Sequence, residues 1–147
     1  MSLFNPSRDQ VRQFFFETWR KFREHKPLSA LELMALEIMQ MHTEYHYVLD
    51  APERYLERTY FPEMGETNPF LHMSLHLSIL EQISIDQPSG IRPAYQSLRE
   101  RFSDEHRAQH ELMECLAEVL WQSQHSQKPL DAETYLGLIH QKLLGSA

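Results

Sequence analysis

The sequence predicts an all-α protein, an antiparallel bundle of four main helices with two or three shorter helices. Four glycines in 147 residues are few, and so few turn residues argue against a many-stranded β protein. Apolar residues recur at helical spacing, most clearly between Leu31 and Val48. Helix-capping sequences such as Ser29-Ala-Leu-Glu32 stand directly before such segments. Both signals recur along the chain and indicate helices throughout.

Composition and charge limit the class of protein and its partners. With 41% apolar and 24% charged residues, the chain fits one domain, residues 1–147, of which residues 1–3 are expected to be an added leader. The net charge of −7 without a basic stripe argues against nucleic acid as a partner. No apolar run reaches transmembrane length, and the sole cysteine, Cys115, can form no internal disulfide. We expect a cytoplasmic protein without a membrane partner; homo-oligomerisation and the substrate, if any, stay open.

Local signals predict where the first helices begin and end. Asn5-Pro6 opens a helix that ends near His25 and places its aromatic stripe in the core. The capping box Ser29-Ala-Leu-Glu32 opens the next helix. Its apolar residues alternate by three and four as far as Val48, which predicts a long amphipathic helix. These apolar positions are Leu31, Met34, Ile38, Met41, Tyr45 and Val48.

The same kinds of signal predict the later elements. Asn68 caps the most apolar segment, in which Pro69 occupies the first turn and Ile85 the end. The other expected elements are a short helix behind the capping box Asp50-Ala-Pro-Glu53, a loop over 58–67, a turn at Asp86–Gly90, a helix over 91–102, a helix over 104–124 capped by Ser103, and a last helix capped by Asp131. On the helix over 104–124 the expected core stripe is His106, Met113, Ala117 and Leu120, which places Cys115 on the outward side.

Histidines repeat at one spacing in three places. In the segment opened by Asn68, His72 and His76 lie opposite a polar stripe that includes Ser74 and Glu81, so both are expected to point inward. The same His-x3-His spacing occurs at His42/His46 and at His106/His110. Three pairs at an identical spacing call for a common explanation.

Metal binding is the explanation that we favour. An i, i+4 pair places two imidazoles about 6 Å apart on one helix face, and facing helices of a bundle can bring such pairs to one centre. We therefore predict a site for a transition metal, either iron, zinc or manganese. Its candidate ligands are His72, His76, His106, His110, His42, His46 and Glu114. The alternative is a metal-free structural or interaction bundle in which the histidines form a hydrogen-bonded core network.

The histidine pattern also carries a resemblance to known metal-binding bundles. The His-x3-His pairs and His110-x3-Glu114 resemble hemerythrin-like proteins, four-helix bundles that hold two irons with histidines and carboxylates. The pattern is similar as well to DinB-like bundles, which hold one metal with three histidines. No His-Glu-x2-His protease motif is present, which argues against a zinc protease of that type. Whether the protein is an enzyme stays open.

A second resemblance covers nearly the whole chain. The sequence resembles a small bacterial family of unknown function, for which no activity is assigned. The stretches that carry this resemblance are NPSRDQVRQFF, HTEYH, EMGETNPFLHMSLHLSILEQISIDQP and MECLAEVLWQ. The resemblance implies a helical fold and a bacterial cytosolic setting, and it leaves the chemistry open.

Overall fold

The computed structural model describes residues 8–145, and all regular structure in that range is helical. The predicted all-α class is therefore confirmed. The predicted opening at Asn5-Pro6 lies outside the described residues. The α-helices are α1 (Arg8–Arg23), α2 (Ala30–Met41), α3 (His46–Leu49), α4 (Pro52–Tyr55), α5 (Pro69–Ile85), α6 (Ile91–Phe102), α7 (Glu105–Ser126) and α8 (Ala132–Leu144). Short 3₁₀ turns occur at Thr43–Tyr45 and Pro62–Met64.

The chain divides into two compact units, of which the first ends at Leu77 and the second begins at Ser78. In the first unit α1 packs against α2 and α3, and α3 packs against α4. In the second unit α6, α7 and α8 each pack against the other two. The single domain and the antiparallel arrangement of four main helices stay predictions. Over residues 8–145, no helix is both long enough and apolar enough to cross a membrane.

Helix α2 begins where the sequence predicts and ends sooner. Both hydrogen bonds of the capping box are present, since the Ser29 hydroxyl accepts from the Glu32 amide and the Glu32 carboxylate accepts from the Ser29 amide. The helix ends at Met41 because His42 leaves the helical conformation, with φ −107° and ψ 68°. The predicted alternation as far as Val48 therefore belongs to two helices separated by a 3₁₀ turn.

The capping box of α2 gives a stability prediction. Ser29→Ala removes the hydroxyl that accepts from the Glu32 amide, so the free energy of unfolding is expected to fall by about 1 kcal/mol. Urea denaturation followed by circular dichroism measures this change. Ser89→Ala, in an exposed turn, is the matched control and is expected to leave the midpoint in place. Equal midpoints for the two variants would contradict the assigned role of the cap.

The predicted capping box at Asp50 is wrong. Helix α4 begins after Ala51 without any side-chain cap. The Asp50 carboxylate instead accepts a hydrogen bond of 2.7 Å from the indole Nε1 of Trp19 in α1. A buried indole N–H needs an acceptor, and this tertiary contact takes the carboxylate that local sequence assigns to the cap.

Two of the three caps predicted for the later helices are found. The Asn68 side chain accepts from the Phe70 and Leu71 amides at the start of α5. Helix α6 has the predicted bounds, and Asp131 caps α8 by accepting from the Glu133 amide. Helix α7, however, is capped by Asp104 and not by Ser103. Ser103 ends α6 in the left-handed conformation, with φ 52°, which is incompatible with an N-cap.

The buried face of α7 differs from the predicted one. His106 and Ala117 are exposed, whereas Cys115, predicted to face outward, is only 2% exposed. The buried residues of α7 are Ala108, Gln109, Leu112, Met113, Cys115, Leu116 and Val119. Apolar residues occupy a wide arc of this helix, and the packing of α6 and α8 selects which part of the arc is buried.

The burial of Cys115 predicts that its thiol reacts slowly in the folded protein. Burial raises the pKa of Cys115 to about 11, so the folded protein keeps the unreactive protonated form at neutral pH. We expect iodoacetamide to label Cys115 at least about tenfold faster in denaturant than in buffer. Mass spectrometry follows the rate, and free N-acetylcysteine in both solvents is the control. Equal rates after correction by that control would contradict this burial.

Candidate metal centre

The end of α2 and the first two turns of α5 bring three histidines together. His42 follows the last residue of α2, and His72 and His76 lie one turn apart on α5. One nitrogen from each of the three lies within 4.8 Å of the others. The ring centroid of His42 is 4.8 Å from that of His72 and 5.5 Å from that of His76. We call His42, His72 and His76 the histidine triad.

The triad is largely shielded from water. His76 is fully buried and His42 is 4% exposed, whereas His72 is half-buried. The predicted inward orientation of His76 is thus found, and Ile79 on the same face of α5 is also fully buried. Polar rings at such positions need ligands or hydrogen-bond partners.

One hydrogen bond determines which nitrogen His42 turns toward its neighbour. Nδ1 of His42 lies 2.8 Å from the backbone oxygen of Ile38, and because a carbonyl only accepts, Nδ1 is the nitrogen that carries the proton when the ring has only one. Nε2 then carries a lone pair, and it lies 3.1 Å from Nε2 of His72. A backbone carbonyl behind an imidazole is a common outer partner of metal-binding histidines because it fixes the tautomer and the ring orientation.

An aromatic ring flanks the triad on one side. Tyr45 stacks on His42 with 5.4 Å between centroids and 3° between planes, and it meets His72 edge to face at 5.9 Å. Burial, with smaller effects from Glu44 and Tyr47, raises the pKa of Tyr45. The phenol is therefore neutral at physiological pH and adds no charge to the group.

His46 makes different contacts from His42, its predicted partner in a chelating pair. Its Nε2 donates to the backbone oxygen of Met39 at 2.8 Å, and its ring packs on Trp19 with 4.7 Å between centroids. Because α2 ends at Met41, His42 and His46 do not share one helix face. Their sequence spacing therefore does not make them a chelating pair.

The remaining candidate ligands belong to the second unit. The rings of His106 and His110 are 4.2 Å apart, and Nδ1 of His110 donates to the backbone oxygen of His106. Glu114 is largely exposed and forms an ion pair with Lys142, which also pairs with Glu111, each at 2.6 Å. Ligation of a metal by His106, His110 or Glu114 stays a prediction.

Arg12 is a buried residue that our sequence reasoning missed. It is 1% exposed, and its Nη1 donates to the backbone oxygens of Tyr55, Leu56 and Arg58 at 3.2, 3.0 and 2.7 Å. Its guanidinium also lies 4.7 Å from the centroid of Phe70. Arg12 thus secures the chain segment after α4 and contacts the first turn of α5, the helix that carries two of the three histidines.

The spacing of the aromatic residues that follow Arg12 could have indicated that it lies on the buried face of its helix. Arg12 precedes Phe15, Phe16 and Trp19 by three, four and seven residues, the spacing of one helix face, and all three aromatic side chains are buried. An arginine in that pattern lies on the core side of α1. Burial and the nearby Arg8 lower its pKa, but an arginine remains charged inside a protein.

Comparison with known proteins identifies the family. A family model described as a domain of unknown function, DUF1841, matches residues 7–141. The chain belongs to the DUF1841 family. The match confirms the resemblance to a family of unknown function. No curated protein and no solved structure matches the chain, so any function for this DUF1841 protein has to be argued from its own residues.

Proposed function

We propose that this DUF1841 protein binds a divalent transition-metal ion through His42, His72 and His76. The observation that carries the proposal is the mutual approach of the three ligating nitrogens to within 4.8 Å. Metal–imidazole bonds of about 2.0–2.1 Å set two nitrogens on one tetrahedral ion about 3.4 Å apart. The Nε2 atoms of His42 and His72, at 3.1 Å, are already close to that separation. A nitrogen of His76 lies within 4.8 Å of the other two ligand atoms and would have to move closer to them to reach the same ion.

The chemistry of the triad ranks the predicted metals. Imidazole suits zinc and iron, whereas manganese prefers oxygen ligands. Only histidines form the group of potential ligands found among residues 8–145. We therefore place zinc and iron before manganese.

A metal-free histidine network is the competing function class, and one distance favours it. A separation of 3.1 Å between two Nε2 atoms is also that of a hydrogen bond, in which His72 would donate to the lone pair of His42. In that case the triad specifies the packing of α2 against α5 and has no ligand. The two readings differ in whether a metal ion is held in stoichiometric amount.

Metal content and affinity separate the two readings. Untagged protein, purified without added metal, is analysed for its elements and then titrated with zinc against a chromophoric chelator. We expect one equivalent of metal and a loss of at least tenfold in affinity for His42→Ala, since the loss of a hydrogen-bond partner of a metal ligand alone reaches about that size. His140→Ala, an exposed histidine on α8, is the matched control. Protein that lacks metal and whose weak zinc binding is unchanged by His42→Ala would favour the hydrogen-bonded network.

The same titration tests the remaining sequence predictions. His110→Ala and Glu114→Ala ask whether the second unit contributes ligands, and His46→Ala asks whether its contact with Met39 is structural only. A change in stoichiometry or affinity would assign the residue to the metal site. An unchanged titration would remove that residue from the candidate ligands.

A further inference from the structure

The segment over 44–66 exposes large apolar side chains to water. Tyr47 is 62% exposed, Phe61 43% and Met64 76%. Single apolar residues are normal at a protein surface, whereas a contiguous group of them commonly marks a binding surface. Aromatic residues, methionine and arginine are also the residue types that are enriched at protein interfaces.

Contacts join these side chains into one surface. The rings of Tyr47 and Tyr55 meet edge to face with 5.7 Å between their centroids. The guanidinium of Arg58 lies 5.9 Å from the ring centroid of Tyr55 and 4.8 Å from that of Tyr60. Tyr60 is followed in the chain by Phe61, whose backbone oxygen accepts from the Met64 amide at 3.0 Å. We call this group the aromatic surface, and its members are Tyr47, Tyr55, Arg58, Tyr60, Phe61 and Met64.

Hydrogen bonds hold the aromatic surface in place. Arg12 donates to three backbone oxygens over residues 55–58 from the buried side. On the outer side the Phe61 amide donates to the Glu66 carboxylate at 3.0 Å. A surface whose shape is already fixed loses little conformational entropy when a partner binds.

Acidic residues surround the aromatic surface. Residues 44–66 contain six acidic residues and two arginines, so this segment supplies −4 of the net charge of −7. Glu44, Glu53, Glu57 and Glu63 are exposed, and within the described residues 8–145 none of these four carboxylates takes part in an ion pair. Uncompensated carboxylates around an apolar surface are complementary to a partner of positive charge.

We propose that the aromatic surface binds a basic segment of another protein. Apolar side chains of that segment pack on Tyr47 and Met64, and its lysines and arginines pair with the surrounding carboxylates. Like charges disfavour the other occupants, because the phosphates of nucleic acid or of an anionic membrane would meet the same carboxylates. In a symmetric contact between two copies of this chain, the carboxylates of both copies would face each other. The proposal is independent of the metal site.

Peptide selection identifies the chemistry of the occupant. A library of random peptides displayed on phage is selected on the immobilised full-length protein at low salt, and the enriched peptides are sequenced and synthesised. We expect these peptides to combine lysine or arginine with aromatic or aliphatic residues, and their affinity to fall as salt rises because salt screens exposed charges. Enriched peptides without a basic bias, or the absence of any enrichment, would overturn the proposal.

A double variant tests the apolar part of the surface. Tyr47→Ser/Met64→Ser is expected to bind the selected peptides at least about fivefold more weakly, since residues at the centre of an interface supply most of the binding energy. The matched control is Trp121→Ser/Leu144→Ser, which changes an aromatic and an aliphatic residue that are 54% and 88% exposed elsewhere. Circular dichroism checks that both variants are folded. Equal affinities of the two double variants would overturn the proposal.

A second pair of variants tests the acidic part. Glu57→Gln/Glu63→Gln is expected to weaken peptide binding and to reduce its dependence on salt. Glu100→Gln/Glu133→Gln removes the same number of exposed carboxylates from α6 and α8 and should leave both unchanged. An equal effect of the two pairs would show that only the net charge matters, and it would overturn the assignment to this surface. Sedimentation velocity tests the second copy as occupant, since a dimer that Tyr47→Ser/Met64→Ser abolishes would also overturn the proposal.

Discussion

Replacing His76 by alanine is expected to remove the dependence of the melting temperature on metal. A ligand that binds only the folded protein stabilises it by about 2.7 kcal/mol at a hundredfold excess over its Kd. For a chain of this length, that corresponds to about 5–10 °C in melting temperature. The unsubstituted protein should thus melt several degrees higher with zinc than with chelator, whereas His76→Ala should melt at one temperature in both conditions.

The difference between the two conditions is the quantity to compare, because the loss of a buried ring lowers the melting temperature by itself. His125→Ala is the control: His125 is exposed, stacks on Trp121 and lies outside the triad. This variant should keep the full difference between zinc and chelator. His72→Ala, which empties a half-buried position, should lose that difference with less damage to the fold. An unsubstituted protein that melts at one temperature with and without zinc would count against a metal site.

Replacing Arg12 by methionine is expected to lower the free energy of unfolding by about 3–5 kcal/mol. Methionine fills much of the same space, but it leaves the backbone oxygens of Tyr55, Leu56 and Arg58 without the donor that Arg12 supplies. These three hydrogen bonds are partly buried, and a hydrogen bond to a charged group contributes about 1.5–3 kcal/mol. Urea denaturation, followed by circular dichroism, measures the change.

Two further variants show whether the donor atom is the cause. Arg12→Lys retains a positively charged donor and should recover part of the lost stability. Arg20→Met removes an arginine from the same helix that forms surface ion pairs with Glu17 and Glu24, and exposed pairs contribute little. Unfolding midpoints that are equal for Arg12→Met and Arg20→Met would contradict a special role for the buried arginine.

The local sequence is sufficient to predict a structural feature where neighbouring residues make the interaction that determines it. The starts of α2, α5 and α8 follow from Ser29, Asn68 and Asp131, because a capping side chain bonds amides two or three residues away. The start of α6 follows from Pro88 and Gly90 in the turn before it, because neither residue extends a helix. The all-α class rests on many such signals and is confirmed.

The sequence is insufficient where one residue has two suitable partners. Asp50 has the pattern of a cap, yet it bonds the indole of Trp19, which is 31 positions earlier in the chain. Cys115 lies on a helix with a wide apolar arc, and the neighbouring helices α6 and α8 decide that it is buried. Such choices depend on contacts that no short window of sequence contains.

For the histidines, too, the sequence determines one part of the arrangement and the tertiary structure decides the other. Their spacing along α5 by itself determines that His72 and His76 share a helix face, because four residues make about one helical turn. Only the tertiary structure decides which histidine joins them: α2 ends at Met41, so His42 turns toward His72 and His46 turns back to the oxygen of Met39. A periodic pattern records the geometry of one helix, whereas a site between two helices depends on where each helix ends and how the two are packed.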